Sequence, residues 1–302
     1  MILPTLRQLR FVAALADELH FGRAAEACHV TQSTLSNGLK ELEELLGAQL
    51  AERTKRSVLM TPLGEEIAER ARAMLAEAQD IVDLAQRQAG LLSGPLRLGT
   101  IPTVGPFLLP RALPELRERF PGLQLYLREE LTEQLIEGLR AGRLDAILIA
   151  RPFDIGDLEF ETLFDDGYQL ATAPGHPLAG RKVIAGPDLA GENMLLLERG
   201  HCLQRHALSA FPEAGARQDE TFAATSLATL VAMVEEGLGI TLLPQLAIDA
   251  GAARHANLSL VPLRGACPRH VVLAWRRSSA RVEEFRHLAQ ALREARAALD
   301  HG

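Results

Sequence analysis

Cys202 lies in a sequence context that would make its thiol chemically reactive. The apolar run Leu195–Leu197 predicts a strand, Gly200 a turn, and Cys202 the first turn of a helix. Free N–H groups and a partial positive charge at a helix N-terminus favour the thiolate over the thiol, whose ordinary pKa is about 8.5. Peroxide oxidises a thiolate to a sulfenic acid. The placement indicates a redox-sensitive cysteine, and the alternative is a small buried apolar residue, the commoner role of a lone cysteine.

A second stretch, Phe21–Ser36, predicts two short helices joined by a tight turn at His29–Thr31. Thr31 can cap the second helix by accepting a hydrogen bond from its free N–H groups. The first helix has a small apolar face and the second directs leucines inward: Ala24, Ala25 and Cys28, then Leu35, Leu39, Leu42, Leu45 and Leu46. An ordinary helical hairpin with polar solvent faces is the alternative interpretation.

The outer surface of the second helix carries side chains that suit base edges and phosphates in a DNA major groove. They are Gln32, Ser33, Thr34, Ser36 and Lys40. The residues that follow predict a wing with three basic side chains beside the duplex backbone: Arg53, Lys55 and Arg56. Residues 1–60 carry seven basic and seven acidic side chains, so phosphate attraction is expected to be local and modest.

A long helix is predicted to start at Thr61–Pro62, with Thr61 as its cap, and to run to about Gln88. Apolar residues recur along it at three- and four-residue steps: Ile67, Ala71, Met74, Ala78, Ile81 and Ala85. This seam predicts pairing with a second copy of the helix. The alternative is a helix packed on its own domain. The segment Ala89–Pro95 predicts a linker.

From Leu96 onward, strand-like apolar runs alternate with amphipathic helices. The predicted strands are 96–101, 123–127, 144–150, 193–197, 239–244 and 271–275, and the predicted helices are 107–120, 132–141, 227–236 and 281–299. Such alternation predicts an α/β domain with mostly parallel sheets, built as two small lobes with a ligand cleft between them. The expected domains are a winged helix-turn-helix at 1–60, a linker and dimerisation helix at 61–90 and an effector domain at 91–302.

Composition excludes several classes of protein. The chain has 302 residues, a net charge of −7 and 47% hydrophobic residues, as in an ordinary soluble protein. It has no apolar run long enough to span a bilayer. Its first residues also lack the basic segment followed by an apolar segment that is typical of a secretory signal. Cys28, Cys202 and Cys267 are too few and too scattered for a disulfide scaffold or a zinc motif. We therefore expect a cytoplasmic protein with no metal and no cofactor.

The chain resembles the LysR-type transcriptional regulators over essentially its whole length. The resemblance rests on Phe21–Ser36, Leu42–Gly47, Arg53 and Thr61–Gly64. The family usually has proline at the position of Ser33, which is a mild departure. The resemblance implies dimers or tetramers that bind double-stranded promoter DNA, an N-terminal winged helix-turn-helix, and a two-lobed effector domain resembling periplasmic solute-binding proteins. It also implies contact with RNA polymerase, as in a transcription activator.

Several effector-domain segments are similar to the peroxide-sensing, OxyR-like branch of that family. They are Gly99–Pro110, Leu197–Leu203, Phe211–Gly215, Thr225–Leu230 and Gly239–Pro244. The resemblance implies that Cys202 is the redox-sensing residue. It also implies neighbours that bind peroxide or another effector: Thr103, Thr132, His201, Thr225, Ser226 and Arg269. From the residues alone, Thr103 and Thr132 could cap helices, His201 could be a surface residue and Arg269 could form an ordinary ion pair. Thr225 and Ser226 indicate a helix cap at the cleft.

One position departs from that branch, whose members usually carry a second cysteine nine residues after the first. Here the position is Phe211, so the usual disulfide within one chain cannot form. Oxidation could stop at a sulfenic acid or be capped by a small thiol such as glutathione. Alternatively, Cys267 could be the resolving partner, since in a strand it would share a face with Arg269, although Pro268 weakens that geometry. Peroxide sensing could also be lost, with an anionic small molecule bound in the cleft.

The sequence as a whole predicts a DNA-binding regulator that is not an enzyme and that switches when Cys202 is oxidised. The first alternative is a regulator of the same family that binds an anionic effector between Thr103, Thr132 and Ser226. The second is an enzyme, a one-cysteine thiol peroxidase, for which neither a helix-turn-helix nor a pairing helix would be useful. Cys28 is expected to be an inert core residue of the first domain.

Overall fold

The computed structural model describes residues 3–53, 58–86, 91–198, 203 and 217–299. For Arg53 and for residues 83–86 and 217–223 it describes the backbone alone. The chain divides into two compact units, one built mainly of Met1–Gln88 and the other of most of the residues that follow. The expected domain boundaries at residues 60 and 90 stay a prediction.

The first unit consists of four helices and a small hairpin within the described residues. The helices are α1 (Leu6–Glu18), α2 (Phe21–Ala27), α3 (Gln32–Leu46) and α4 (Pro62–Gln86), and the antiparallel strands are β1 (Ala51–Arg53) and β2 (Val58–Met60). The predicted pair of helices and the long helix after Thr61 are therefore confirmed. The strands lie where the wing is expected.

Side-chain caps fix where these helices begin. The Thr31 hydroxyl accepts from the Thr34 N–H at 3.3 Å, and the Thr61 hydroxyl accepts from the Gly64 N–H at 3.0 Å, as predicted. His20 is a cap that the sequence pattern does not predict, and its Nδ1 accepts from the Gly22 and Arg23 N–H groups at the start of α2. An accepting Nδ1 requires the neutral imidazole.

The core of the first unit is formed by the predicted inward residues together with Phe11, Leu15 and Leu50. The prediction is wrong for Leu46, whose side chain is 39% exposed. Leu46 is the last residue of α3, and the chain reverses at Gly47 in the left-handed region, with φ +67°. Leu50 arrives after that turn and is fully buried, so it covers the core that Leu46 does not reach.

The apolar seam of α4 divides into two parts. Ala71 is buried and Ile67 is partly buried in the core of the first unit, which is the alternative that the sequence left open. Further along, Met74 is 54% and Ile81 is 69% exposed. The first part thus packs on its own unit, and the second part remains available for pairing.

The second unit contains a five-stranded mixed sheet with the order β4-β3-β5-β13-β6. Its strands are β3 (Gly94–Thr100), β4 (Leu123–Glu129), β5 (Ala146–Arg151), β6 (Glu159–Asp166) and β13 (Arg269–Trp275). Strands β3, β4 and β5 are parallel, whereas β13 is antiparallel to both β5 and β6. Three helices belong to this part of the chain: α5 (Gly105–Arg119), α6 (Thr132–Arg140) and α9 (Val282–Leu299).

A second set of strands lies between β6 and β13 in the sequence. A four-stranded sheet has the order β11-β7-β12-β8, formed by β7 (Tyr168–Thr172), β8 (Ile184–Ala185), β11 (Thr241–Pro244) and β12 (Ser259–Arg264). Beside it are the parallel strands β9 (Asn193–Leu197) and β10 (Arg217–Ala224) and the helices α7 (Leu227–Glu235) and α8 (Gln245–Asp249). Their buried residues form a separate core from Tyr168 to Val261.

The α/β prediction is correct, but the expectation of mostly parallel sheets is wrong. Strand β13 is antiparallel to β5 and β6, and β7 is antiparallel to β11 and β12. The predicted linker also ends too late, because Gly94 and Pro95 belong to β3. Pro95 is tolerated because β3 pairs there with β4 alone, and pairing with β5 begins at Leu98, so no ladder bond needs its missing N–H.

The sequence pattern does not predict strands β6, β7, β8, β10 and β12. Strand β6 reads Glu-Phe-Glu-Thr-Leu-Phe-Asp-Asp and is an edge strand that is exposed at several positions. It therefore has no apolar run of the kind that identifies a buried strand. Within the described residues, no helix is both long and apolar enough to cross a membrane.

Gly38 tests how tightly α1 and α3 pack. A Cβ at Gly38 would lie 2.6 Å from the Phe11 ring, which is buried. Gly38→Ala should therefore lower the free energy of unfolding of the first unit by about 1–3 kcal/mol, although alanine favours helix by about 1 kcal/mol. Urea unfolding followed by circular dichroism measures this effect. Asn37→Ala, at an exposed position of the same helix, is the control, and equal stability of the two variants would contradict the packing.

Candidate functional site

Four candidate residues of the second unit lie at one end of the five-stranded sheet. Thr103 follows the carboxyl end of β3, and Thr132 follows the carboxyl end of the adjacent parallel strand β4. Arg269 begins β13, which is antiparallel to β5, and it pairs across the ladder with Asp166 at the end of β6. The carboxyl ends of parallel strands are the usual place for ligands in α/β folds.

Arg269 and Asp166 form a fully buried ion pair, and both side chains are 0% exposed. The Asp166 Oδ2 accepts from Arg269 Nε at 3.0 Å and from Nη2 at 2.8 Å. The guanidinium also holds Thr103: Nη1 donates to Oγ1 at 2.8 Å, and Nη2 donates to the backbone oxygen at 2.9 Å. Thr103 and Arg269 are residues that the sequence predicts for the site, whereas Asp166 is not, because its only signal is an acidic pair before Gly167 at the end of β6.

The other oxygen of Asp166 reaches into the second set of strands. Oδ1 accepts from the Leu246 N–H, in the first turn of α8, at 2.8 Å. The adjoining Gly167 oxygen accepts from the Gln245 N–H at 2.8 Å. The carboxylate is thus satisfied on both sides, which is what a charge without solvent requires. The pair of Arg269 and Asp166 carries no net charge.

Thr132 is the first residue of α6 and is 1% exposed. In the described part of the chain its Oγ1 has no hydrogen-bond partner. A buried hydroxyl without a partner costs about 1–3 kcal/mol, so in a native protein it calls for an explanation such as a ligand or an ordered water. Among the described contacts, neither the Thr103 nor the Thr132 hydroxyl accepts from a helix N–H. The capping role that the sequence left open for these two threonines is therefore not seen in the described contacts.

Ser226 has the capping role that the sequence predicted. Its Oγ accepts from the Thr229 N–H at 3.2 Å at the start of α7, and it also bonds to the Thr229 hydroxyl. Thr225 is exposed beside it. No described contact joins Thr225 or Ser226 to Thr103, Thr132 or Arg269, so the described contacts do not bring the predicted set together.

His201, Cys202 and Phe211 lie outside the described residues, so the geometry of the predicted sensing cysteine is not part of the structure. The following residue, Leu203, is buried in the core of the second set of strands. Cys267 and Arg269 do not share a strand, because β13 begins only at Arg269, so the strand geometry considered for a bridge between Cys267 and Cys202 does not form. Cys267 is exposed in the segment before the strand, whereas Arg269 is buried.

Cys28 is buried in the core of the first unit, as expected. Burial raises the pKa of the Cys28 thiol above its ordinary value, and contact with Arg10 opposes this in part. A raised pKa leaves less thiolate at neutral pH, so Cys28 is poorly nucleophilic. Within the described residues, no cluster of histidine, cysteine and acidic side chains could hold a metal ion.

The candidate DNA-contacting residues lie on the outer surface of α3. Gln32, Ser33 and Lys40 are exposed, and Thr34 and Ser36 are partly buried. The Ser33 and Thr34 hydroxyls bond to the Thr31 hydroxyl at 3.0 and 2.8 Å, which holds them at the start of the helix. Of the wing residues, Arg53 has a described backbone alone, and Lys55 and Arg56 lie outside the described residues.

These features define a class of protein: a winged-helix unit that presents a polar helix, joined to an α/β unit with polar residues at the strand ends. The model of the bacterial regulatory helix-turn-helix protein, lysR family, matches residues 6–65. The model of the LysR substrate binding domain matches residues 89–297. The chain belongs to the LysR family of bacterial transcription regulators. Membership implies DNA binding and oligomerisation, and it excludes the enzyme alternative.

The chain is similar to regulators named OxyR over nearly all of its length. It is 42% identical over 288 residues to the DNA-binding transcriptional dual regulator OxyR of Escherichia coli (strain K12), covering 95% of this chain and 94% of that protein. A full-length OxyR variant from Pseudomonas aeruginosa superposes with a TM-score of 0.78 at 38% identity, covering 96% and 98% of the two chains. A hydrogen-peroxide-bound OxyR mutant from Corynebacterium glutamicum gives 0.65 at 34% identity, covering 99% and 96%.

The two described cysteines should differ in reactivity. We expect iodoacetamide to label exposed Cys267 quickly at neutral pH and to leave Cys28 unlabelled, because Cys28 is buried and its pKa is raised. Mass spectrometry of peptides from the native protein measures this, and labelling in denaturant is the control that both thiols are reduced. Labelling of Cys28 at the rate of Cys267 in the folded protein would contradict the described core.

Proposed function

We propose that this protein is a peroxide-responsive transcription regulator in which oxidation of Cys202 changes how the oligomer binds promoter DNA. Three observations support the proposal: the placement of Cys202 in the sequence, the buried hydroxyls of Thr103 and Thr132, and the similarity to regulators that are named for hydrogen peroxide. Cys202 is the proposed redox-sensing residue. His201, Thr103, Thr132 and Arg269 are its proposed neighbours.

The hydrogen bond from Arg269 to Thr103 carries the proposal. Because Arg269 Nη1 donates to Thr103 Oγ1, the hydrogen of that hydroxyl points away from Arg269 and is available to a ligand. Thr103 is therefore a fixed donor at the end of the sheet. The buried Oγ1 of Thr132, which has no hydrogen-bond partner among the described residues, can both donate and accept. Two such hydroxyls suit hydrogen peroxide, a small molecule in which each oxygen donates and accepts.

In the proposed reaction, the Cys202 thiolate attacks one oxygen of hydrogen peroxide and the O–O bond breaks. The sulfur becomes a sulfenic acid, and the second oxygen leaves as hydroxide, which takes a proton to form water. Donation from Thr103 to the leaving oxygen stabilises the negative charge that develops there. With Phe211 at the position of the usual second cysteine, the product is a sulfenic acid or its mixed disulfide with a small thiol.

The charge of the site favours a neutral ligand over the alternative, an anionic effector held by Thr103, Thr132 and Ser226. Asp166 neutralises Arg269 at 2.8 Å, so the one described cation beside Thr103 offers an anion little net attraction. Ser226 already uses its hydroxyl to cap α7. An anion that raised the melting temperature of the protein, in a chain whose Cys202 did not react with peroxide, would favour the effector instead.

The proposed regulator is an oligomer that pairs through α4. The exposed Met74, Ile81 and Val82 on α4 suit pairing with a second copy, in a homodimer or homotetramer. Oxidation would alter the spacing of paired α3 helices on promoter DNA. A cytoplasmic location and contact with RNA polymerase, as in an activator, complete the proposed function.

Cys202→Ser should abolish peroxide induction of a target promoter, because serine cannot form a sulfenic acid. Cys267→Ser is the matched control and should respond as the wild type does. Peptide mass spectrometry after a brief peroxide pulse should find Cys202 oxidised, with no bridge to Cys267. Unchanged induction in Cys202→Ser would overturn the proposal, and loss of induction in Cys267→Ser would make Cys267 the resolving residue.

Gln32→Ala should weaken binding to a specific operator by about 1–3 kcal/mol, the range for a good contact between a side chain and a base. Gln32 is exposed in the first turn of α3, where recognition helices contact bases. Gln79→Ala is the control, because it makes the same change at an exposed position of α4, outside α3 and the wing. Fluorescence anisotropy with operator and scrambled duplexes would measure both variants. Equal losses for the two variants would place the reading surface elsewhere.

A further inference from the structure

Asp166 is a buried carboxylate beside the proposed site and has no role in the proposed reaction with peroxide. Its side chain is 0% exposed, and its two oxygens accept three hydrogen bonds. Oδ2 holds Arg269, and Oδ1 holds the Leu246 N–H. The carboxylate is therefore fixed from two sides, and its ladder pairing with Arg269 fixes it along the strand as well.

The contacts of Arg269 form a relay from Asp166 to Thr103. A guanidinium is planar, so fixing Nε and Nη2 on Asp166 also fixes the direction of Nη1. That direction is the one in which Nη1 meets Thr103 Oγ1 at 2.8 Å. Without the carboxylate, Arg269 would be a buried charge without compensation, and such a charge moves toward another partner or toward water.

We infer that Asp166 is a positioning residue of the sensor, which acts through Arg269 to hold the Thr103 hydroxyl as a donor. This inference rests on the proposed function, because the reaction that it serves is the oxidation of Cys202 by peroxide. The effect of Asp166 passes through the hydrogen bonds of the guanidinium.

Asparagine tests this role with little change of shape. The Leu246 N–H and the guanidinium bond to different oxygens of Asp166, and asparagine replaces one of those oxygens with an NH2 group, so one of the two donors would face another donor. Asp165→Asn is the matched control, because it makes the same change one residue earlier, where Asp165 is exposed and contacts His270. Thr103→Val removes the hydroxyl that Asp166 is inferred to position, and it completes a double-mutant cycle with Asp166→Asn.

The experiment measures the rate of Cys202 oxidation by hydrogen peroxide in the full-length reduced protein. We expect Asp166→Asn and Thr103→Val each to slow oxidation about tenfold, and the double variant to be about tenfold slower than wild type, not a hundredfold. Asp165→Asn should match wild type. Urea unfolding of each variant, followed through the single tryptophan, Trp275, separates loss of stability from loss of rate.

The outcomes separate this inference from the proposed function. A wild-type Cys202 that peroxide does not oxidise overturns both. If wild-type Cys202 reacts but Asp166→Asn oxidises at the same rate, the positioning role alone is overturned. The same holds if the losses of rate multiply in the double variant. In both cases Asp166 is a structural residue. If Asp166→Asn does not fold, Arg269→Lys enters the same cycle, since a lysine keeps the charge but cannot hold Asp166 and Thr103 together. Losses of rate that multiply between Arg269→Lys and Thr103→Val would also overturn the positioning role.

Discussion

The buried ion pair of Arg269 and Asp166 is the interaction on which the site depends. Removing two charges from water costs several kcal/mol for each ion, and the attraction between them repays it only with good geometry and further hydrogen bonds. Here Thr103 accepts twice from the guanidinium, and the Leu246 N–H donates to the free carboxylate oxygen. The pair thus joins the end of the five-stranded sheet to the start of α8 and gives the hydroxyl of Thr103 one direction.

This pair also determines the electrostatics of the site. A lone arginine beside Thr103 would attract anions. The structure places a carboxylate 2.8 Å from that arginine, so the dominant polar features become neutral hydroxyls at Thr103 and Thr132. A peroxide molecule is neutral and hydrogen-bonds through both oxygens, so it suits this surface better than an anion does. Because the charges of Arg269 and Asp166 cancel, the pair can position the Thr103 hydroxyl but supplies little net charge to the site.

The DNA-binding unit depends on a different kind of constraint, which is local packing. Its helices begin at side-chain caps on His20, Thr31 and Thr61, and its core is closed by leucines from α3 and by Leu50 after the turn. The start of α4 shares that core through Ile67 and Ala71, and the rest of the helix exposes Met74 and Ile81. One helix can therefore both complete its own unit and offer an apolar surface to a second copy.

The sequence by itself determined the local features of this protein. Caps at Thr31, Thr61 and Ser226, the helix bounds near α3, α4 and α7 and the strand at 193–197 follow from interactions within a few residues, so the pattern predicts them. Only the tertiary structure decided that β13 is antiparallel to its neighbours, that polar β6 is an edge strand, and that Cys267 is exposed away from the face of Arg269. It also paired Arg269 with Asp166, 103 residues earlier. Ion pairs and strand order depend on long-range contacts, which leave no periodic signal in the chain.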